Sequence, residues 1–285
     1  MKWPNFAYAK ADSLESLWRT LEAAGPEAKV IAGGQSLLAS LAFRLSAPSA
    51  LIDISGIAAL SGIFETQGGL SIGALTTHAQ LGASPLVRSH APLLAEAIPL
   101  IAHAAVRNRS TLGGNLAYAD PASELPACLV ALEATIVTAS PAGERRIPAG
   151  DFFLGLFETA LAEGEIIAAV EVPAQRGNQR SGIQEIARRS GDYAMAGLAC
   201  RVDLTAGAIS AARLVFFGVG ETPVFAAAAS QALVASGVAA AQEALAVDLD
   251  PSGDQHASPE TKRHLARVLL ARLVGKLVGM EATAA

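Results

Sequence analysis

A chain of 285 residues, 52% apolar and 16% charged, can bury one large core or two medium ones, which excludes a wholly disordered protein. With 21 basic and 26 acidic residues the net charge is −5 and no basic stripe appears, so nucleic acid is not an expected partner. Two cysteines far apart, Cys128 and Cys200, make no disulfide framework and cannot hold an iron–sulfur cluster, and they fit a reducing cytoplasm. The first ten residues, MKWPNFAYAK, lack the apolar core of a signal peptide.

In chain order, residues 13–24 put Leu14, Leu17, Trp18 and Leu21 on one helical face, with Ser13 as cap and Gly25 as stop. A strand over 28–31, a glycine turn, a short helix over 37–43 and a strand over 50–55 follow. Residues 61–77 read as a hairpin turning at 67–69. Helical segments at 78–83 and 91–104 come next, then a hairpin over 131–153 turning at 141–143 and a strand ending at Pro173. The polar run 174–182 reads as a linker. Strands near 183–189, 194–204 and 209–217 lead into two helices, 223–246 and 258–280. Ser258, Pro259 and Glu260 mark the start of the last one. The uncharged stretch 222–242 is rich in alanine and broken by Pro223 and Gly237, so it reads as packed helix and not as a membrane span.

Two glycine turns stand out. In KVIAGGQSLLASL, strand gives way to helix through Gly33-Gly34-Gln35-Ser36. Glycines let backbone amides approach an anion, and a helix start adds partial positive charge. A tight turn needing positive φ is the plainer reading of the same residues. The second turn, RNRSTLGGNLAYADPASELPA, repeats the pattern: Thr111, Gly113, Gly114 and Asn115, with Asp120, Ser123 and Glu124 close behind. Two such turns can clasp the two phosphates of a dinucleotide while a carboxylate meets ribose hydroxyls. Neither is GxGxxG.

AGGQSLL, TLGGNLAYADPASELP and GALTTHAQL, with DISGIAALSGI, EIARRSGDYAMAG, FFGVGETP and ASPETKRHLARVLLARL, together resemble the FAD-binding medium subunit of molybdenum hydroxylases, the group of carbon monoxide and xanthine dehydrogenases. The resemblance covers the whole chain. It implies an α+β protein: a two-subdomain FAD-binding fold of the vanillyl-alcohol-oxidase (PCMH) type over 1–55 and 56–175, then a C-terminal domain of a small sheet with helices over 176–285. It implies non-covalent FAD, with pyrophosphate contacts from Ala32, Gly33, Gly34, Gln35, Ser36 and Leu37 and from Thr111, Gly113, Gly114 and Asn115. By the same resemblance Glu124 binds the ribose or ribityl region, Ile101 and Ile167 line the cofactor, and Tyr193 shields the isoalloxazine. Gln184 falls where xanthine dehydrogenases carry a lysine, so an ionic contact is lost there. Thr77 and His78 join the expected cofactor set, His78 in a structural or non-covalent role. The implied partners are a small subunit with 2Fe–2S clusters and a large molybdopterin subunit, in a dimer of heterotrimers. A stand-alone flavin dehydrogenase of the same fold, and a scaffold that has lost its cofactor, are the alternatives.

The remaining motifs carry less. The five histidines show no HxxxH or HxH spacing, so no metal site is expected. GVGETP, 218–223, follows a strand and reads as a turn. Arg107 and Arg109 flank the second glycine turn, where phosphate contact and solvation are equally open. Arg188 and Arg189 read as partners of Asp192. No nucleophile triad appears.

Overall fold

The computed structural model describes residues 3–279. Three main sheets and their covering helices form an α+β structure. The N-terminal sheet is parallel, ordered Ala7–Lys10, Ala50–Asp53, Lys29–Ile31. Parallel strands need a crossover, and helix Leu14–Ala24 supplies the first. Ser13 and Ser16 cap that helix reciprocally, and Gly25, at φ 79°, ends it. Its own Leu17 is buried, in a core shared with Ile52, Ile54 and Leu60.

The second sheet is antiparallel, ordered Ile63–Thr66, Gly69–Gly73, Ile166–Pro173, Thr135–Ser140, Gly143–Pro148. Both expected hairpins are there, and strand Ile166–Pro173 joins them. Helix Glu124–Ala131, buried at all its positions, lies in the main core with this sheet.

The third sheet is antiparallel, ordered Gln179–Ala187, Ala194–Thr205, Ala208–Phe217, Val224–Phe225. Its two faces serve different cores. Ile183, Ala199, Val215 and Phe217 join the main core, whereas Leu198, Cys200, Leu214 and Phe216 pack with the C-terminal helices. The sheet is thus the wall between the two halves of the molecule.

Four expectations change. Helix Pro92–Ala97 stops well short of 104, because Arg107 Nη1 donates to the carbonyls of Ile101 (2.8 Å) and Ala102 (2.7 Å) and holds Ala102 at φ 41°. The run 174–182 is half strand: Gln179 is buried and donates to Asp203 Oδ1 at 3.0 Å, which draws residues 179–182 into the sheet. The stretch 223–246 is two helices, Ala227–Ser236 and Val238–Asp248, since Gly237 at φ 83° cannot continue a right-handed helix. Asp248 then caps the first of the pair, accepting from the amides of Ala228 and Ala229 at 3.1 and 2.8 Å. Arg188 meets His256 Nδ1 at 3.3 Å and forms no ion pair with Asp192. A small hairpin of Phe153–Gly155 and Glu158–Thr159 adds to the expected elements. The last helix runs Pro259–Leu277, and its expected end at Met280 lies outside the described residues. Among the described residues no helix is long and apolar enough to cross a membrane.

Candidate cofactor site

A cleft of about 400 Å³ opens between the parallel sheet and the five-stranded sheet. One wall is residues 28–37; the other includes Ala74, Leu75, most of residues 110–118 and Leu161, Ile166 and Ile167. Both glycine turns line it.

The first turn needs its glycines for two different reasons. Gly34 sits at φ 72°, which strains any other residue. A Cβ on Gly33 would overlap the carbonyl of Arg109, so the two turns touch there. The amides of Gly33, Gly34, Gln35, Ser36 and Leu37 donate to no acceptor among the described residues. Ser36 precedes helix Leu37–Ala42 without a side-chain cap bond, so its hydroxyl is also uncommitted. Gln35 folds back, its Nε2 donating to Gly33 O at 3.2 Å. A row of unmatched amides beside a hydroxyl is a donor surface for a phosphate-like anion.

The second turn works differently. Gly113 N–H donates to Ala74 O (2.7 Å), Gly114 N–H to Thr111 Oγ1 (3.1 Å) and Asn115 N–H to Thr111 O (3.0 Å). The Asn115 amide exchanges hydrogen bonds with the Ser123 hydroxyl at 2.8 and 3.1 Å. These donors are already matched, so the turn offers close approach and not a cradle. A Cβ on Gly114 would meet Thr111 Oγ1 at 2.9 Å and otherwise only Ala32 Cβ at 3.9 Å.

Other expected residues lie behind this surface. Thr77 bridges to Thr111, and His78 N–H donates to Ser110 O at 3.0 Å. The His78 ring is 1% exposed, and neither ring nitrogen has a hydrogen-bond partner. Burial first, then nearby Arg107, lowers its pKa to about 4 against the opposing Thr111 backbone. It is a neutral strut behind the second turn, not part of the cleft lining. Ile101 is buried in the main core, and Arg107, whose Nη1 donates to the Ile101 and Ala102 carbonyls, does not line the cleft.

Glu124 begins helix Glu124–Ala131 and is 8% exposed. Desolvation, then Glu185 and Asp120, raises its pKa to about 8. Glu185, with Oε2 buried and unpartnered, is raised by desolvation to about 7. Glu185 was not foreseen; Gln184 was. The two lie on opposite faces of the sheet. Gln184 pairs with Leu198, in the row facing the C-terminal helices, while Glu185 pairs with Gly197, itself opposite Phe217, in the row facing the main core. Tyr193 is 73% exposed, and its hydroxyl pKa is raised by partial desolvation, then by Asp120, Tyr118 and Glu124. Tyr118, another residue missed in the sequence, lines the cleft, with its hydroxyl 3.3 Å from Ser40 Oγ and its ring edge-on to Phe157.

The carboxyls make a stability prediction. Glu124 ionises near pH 4.5 when unfolded but near 8 when folded, so stability falls as pH rises between those values. Glu185 has the same sign up to about 7. His78 opposes them, but only between about 4 and 6.5. The melting temperature of the cofactor-free chain therefore drops from pH 6.5 to 8. Glu124→Gln, which cannot ionise, removes most of that drop; an unchanged slope would contradict the assignment.

Residues 4–175 match the family described as FAD binding domain in molybdopterin dehydrogenase, and 182–277 match the CO dehydrogenase flavoprotein C-terminal domain. The chain is 40% identical to the 6-hydroxypseudooxynicotine dehydrogenase complex subunit alpha of Paenarthrobacter nicotinovorans, over 97% of this chain and 95% of that one. It is 38% identical to the carbon monoxide dehydrogenase medium chain of Hydrogenophaga pseudoflava, over 77% and 76%. A chain of the H. pseudoflava carbon monoxide dehydrogenase structure, which lacks the Mo-pyranopterin moiety, superposes with a TM-score of 0.95 at 36% identity, covering 99% of this chain and all of that one. Quinoline 2-oxidoreductase from Pseudomonas putida 86 gives 0.93 at 38%, with the same coverage.

Proposed function

Because the chain belongs to the family of FAD-binding medium subunits of molybdenum-containing dehydrogenases, we propose that its cleft holds the FAD pyrophosphate and that the chain relays electrons from a partner's 2Fe–2S clusters to an external acceptor. The observation that carries this reading is the row of unmatched amides from Gly33 to Leu37. FAD, when bound, supplies the redox chemistry. The chain's own residues bind and shape. The five amides and the Ser36 hydroxyl donate to phosphate oxygens. Gly114 leaves the second wall bare enough for close approach, and Gly113 lets the turn pack closely against Ala74 behind it. Glu124 accepts from sugar or ribityl hydroxyls through its carboxyl oxygens. Ile167 and Tyr118 exclude water along the cleft, and Tyr193 covers the ring.

The relatives' names, a subunit alpha and a medium chain, support a multi-subunit enzyme. We infer a small 2Fe–2S subunit and a large molybdopterin subunit as partners, in a dimer of heterotrimers. Cys128 and Cys200 are both buried free thiols, which supports placing the clusters elsewhere and the complex in the cytoplasm. We divide the chain into FAD-binding subdomains 1–55 and 56–175 and a C-terminal domain 176–285.

Acid precipitation of the purified protein tests the cofactor reading. A yellow supernatant with equimolar FAD is expected. A yellow pellet would mean a covalent flavin, and a colourless native protein would overturn the reading.

A further inference from the structure

Lys262, in the first turn of helix Pro259–Leu277, is 8% exposed. Its ammonium donates to Gly218 O at 3.0 Å and pairs with Asp254 Oδ2 at 2.8 Å. An ammonium is tolerated inside a protein only where its charge is met, and here both partners are fixed groups. Asp254 is held low, to about 2, chiefly by that bond. The same carboxylate accepts from the amides of His256 and Ala257 at 2.7 and 3.0 Å.

Gly218 opens the GVGETP turn, a motif the cleft does not use. It ties together three segments. Its N–H donates to Pro121 O at 2.8 Å, next to Asp120. Its φ is 74°, and a Cβ there would stand 2.7 Å from Ala194 O. Ala194 follows Tyr193. On the other side of Tyr193, a Cβ on Gly191 would stand 2.8 Å from Ala102 O, the carbonyl that Arg107 grips. Arg188, upstream in the same loop, reaches His256 beside Asp254. The exposed Tyr193 ring thus stands on a backbone gripped from both sides, and one grip runs through Lys262.

We propose that Lys262 is a positioning residue for the flavin chemistry: by clamping the Gly218 turn onto Pro121 it sets how Tyr193 lies over the isoalloxazine. This rests on the reading of Tyr193 as flavin-facing. The clamp acts on the backbone at 194 and 218, so loosening it moves the shield without touching the amides of residues 33–37.

The test compares Lys262→Met, Lys262→Arg, Tyr193→Ala and the double variant Lys262→Met/Tyr193→Ala in the FAD-loaded protein. Lys262→Met should keep its FAD. It should raise flavin fluorescence and speed reoxidation by oxygen severalfold, in the direction of Tyr193→Ala. The double variant should go no further than Tyr193→Ala alone, because both act through one ring. Lys262→Arg should restore both signals. Hydrogen exchange at 189–194 should quicken in Lys262→Met even without FAD. If Lys262→Met fails to fold, Asp254→Asn weakens the same clamp and is read the same way. A Lys262→Met protein with a lower melting temperature but wild-type fluorescence and reoxidation overturns the clamp while Tyr193→Ala still responds. A silent Tyr193→Ala overturns the reading of Tyr193 itself, and the clamp with it.

Discussion

Gly114→Val purifies folded and without FAD. Gly114 lines the cleft, and beyond Thr111 Oγ1 its missing side chain faces open space. The two γ-carbons of valine would project into that space, where the pyrophosphate is proposed to lie. Losing two charge-assisted hydrogen bonds at roughly 1.5–3 kcal/mol each weakens binding by about a hundredfold or more. The fold suffers far less. The cap bond from Gly114 N–H to Thr111 Oγ1, worth about 1 kcal/mol, is strained, and the better helix propensity of valine offsets part of that. Gly33→Val is the contrasting variant. Its Cβ meets the Arg109 backbone, which cannot swing away, so the fold itself is damaged. Flavin absorbance read beside a thermal melt separates the two cases. Wild-type flavin content in Gly114→Val would contradict the placement of the phosphates.

Tyr193→Ala keeps FAD and fold but alters reoxidation of the reduced flavin. An aromatic at a strand start usually packs a core. Here the ring is 73% exposed, so its removal should change stability by no more than about 0.5 kcal/mol. Its electrostatic neighbours are Asp120, Tyr118 and Glu124, and of these Tyr118 lines the cleft. An exposed ring in that place controls access more than it supports structure. Stopped-flow reoxidation by oxygen should differ severalfold from wild type at an unchanged melting temperature. Matching rates with a lowered melting temperature would make Tyr193 a packing residue.

The glycine turns were legible in the sequence because a positive φ and a close backbone contact both demand glycine, as Gly34 and Gly33 show. The capped helices at Ser13 and Ser258 were legible because a short hydroxyl side chain has one favoured use there. What the second turn does with its amides was not legible. Matching them to Ala74 and Thr111 depends on a partner some forty residues away. Which of Gln184 and Glu185 faces the main core was hidden for another reason: a shift of one residue reverses the face, and only the pairing with Leu198 and Gly197 shows it. The break at Gly237 was masked by the alanines around it, and the role of Lys262 by the distance to Gly218.

The central claim is that this chain receives electrons from a 2Fe–2S partner. The partner subunit, purified and reduced, is mixed anaerobically with the oxidised FAD-loaded chain while the flavin absorbance is followed. The account predicts rapid bleaching of the flavin band with matching recovery of the cluster absorbance, and no bleaching with the FAD-free Gly114→Val chain. A flavin band that stays oxidised beside a reduced, bound partner would contradict it.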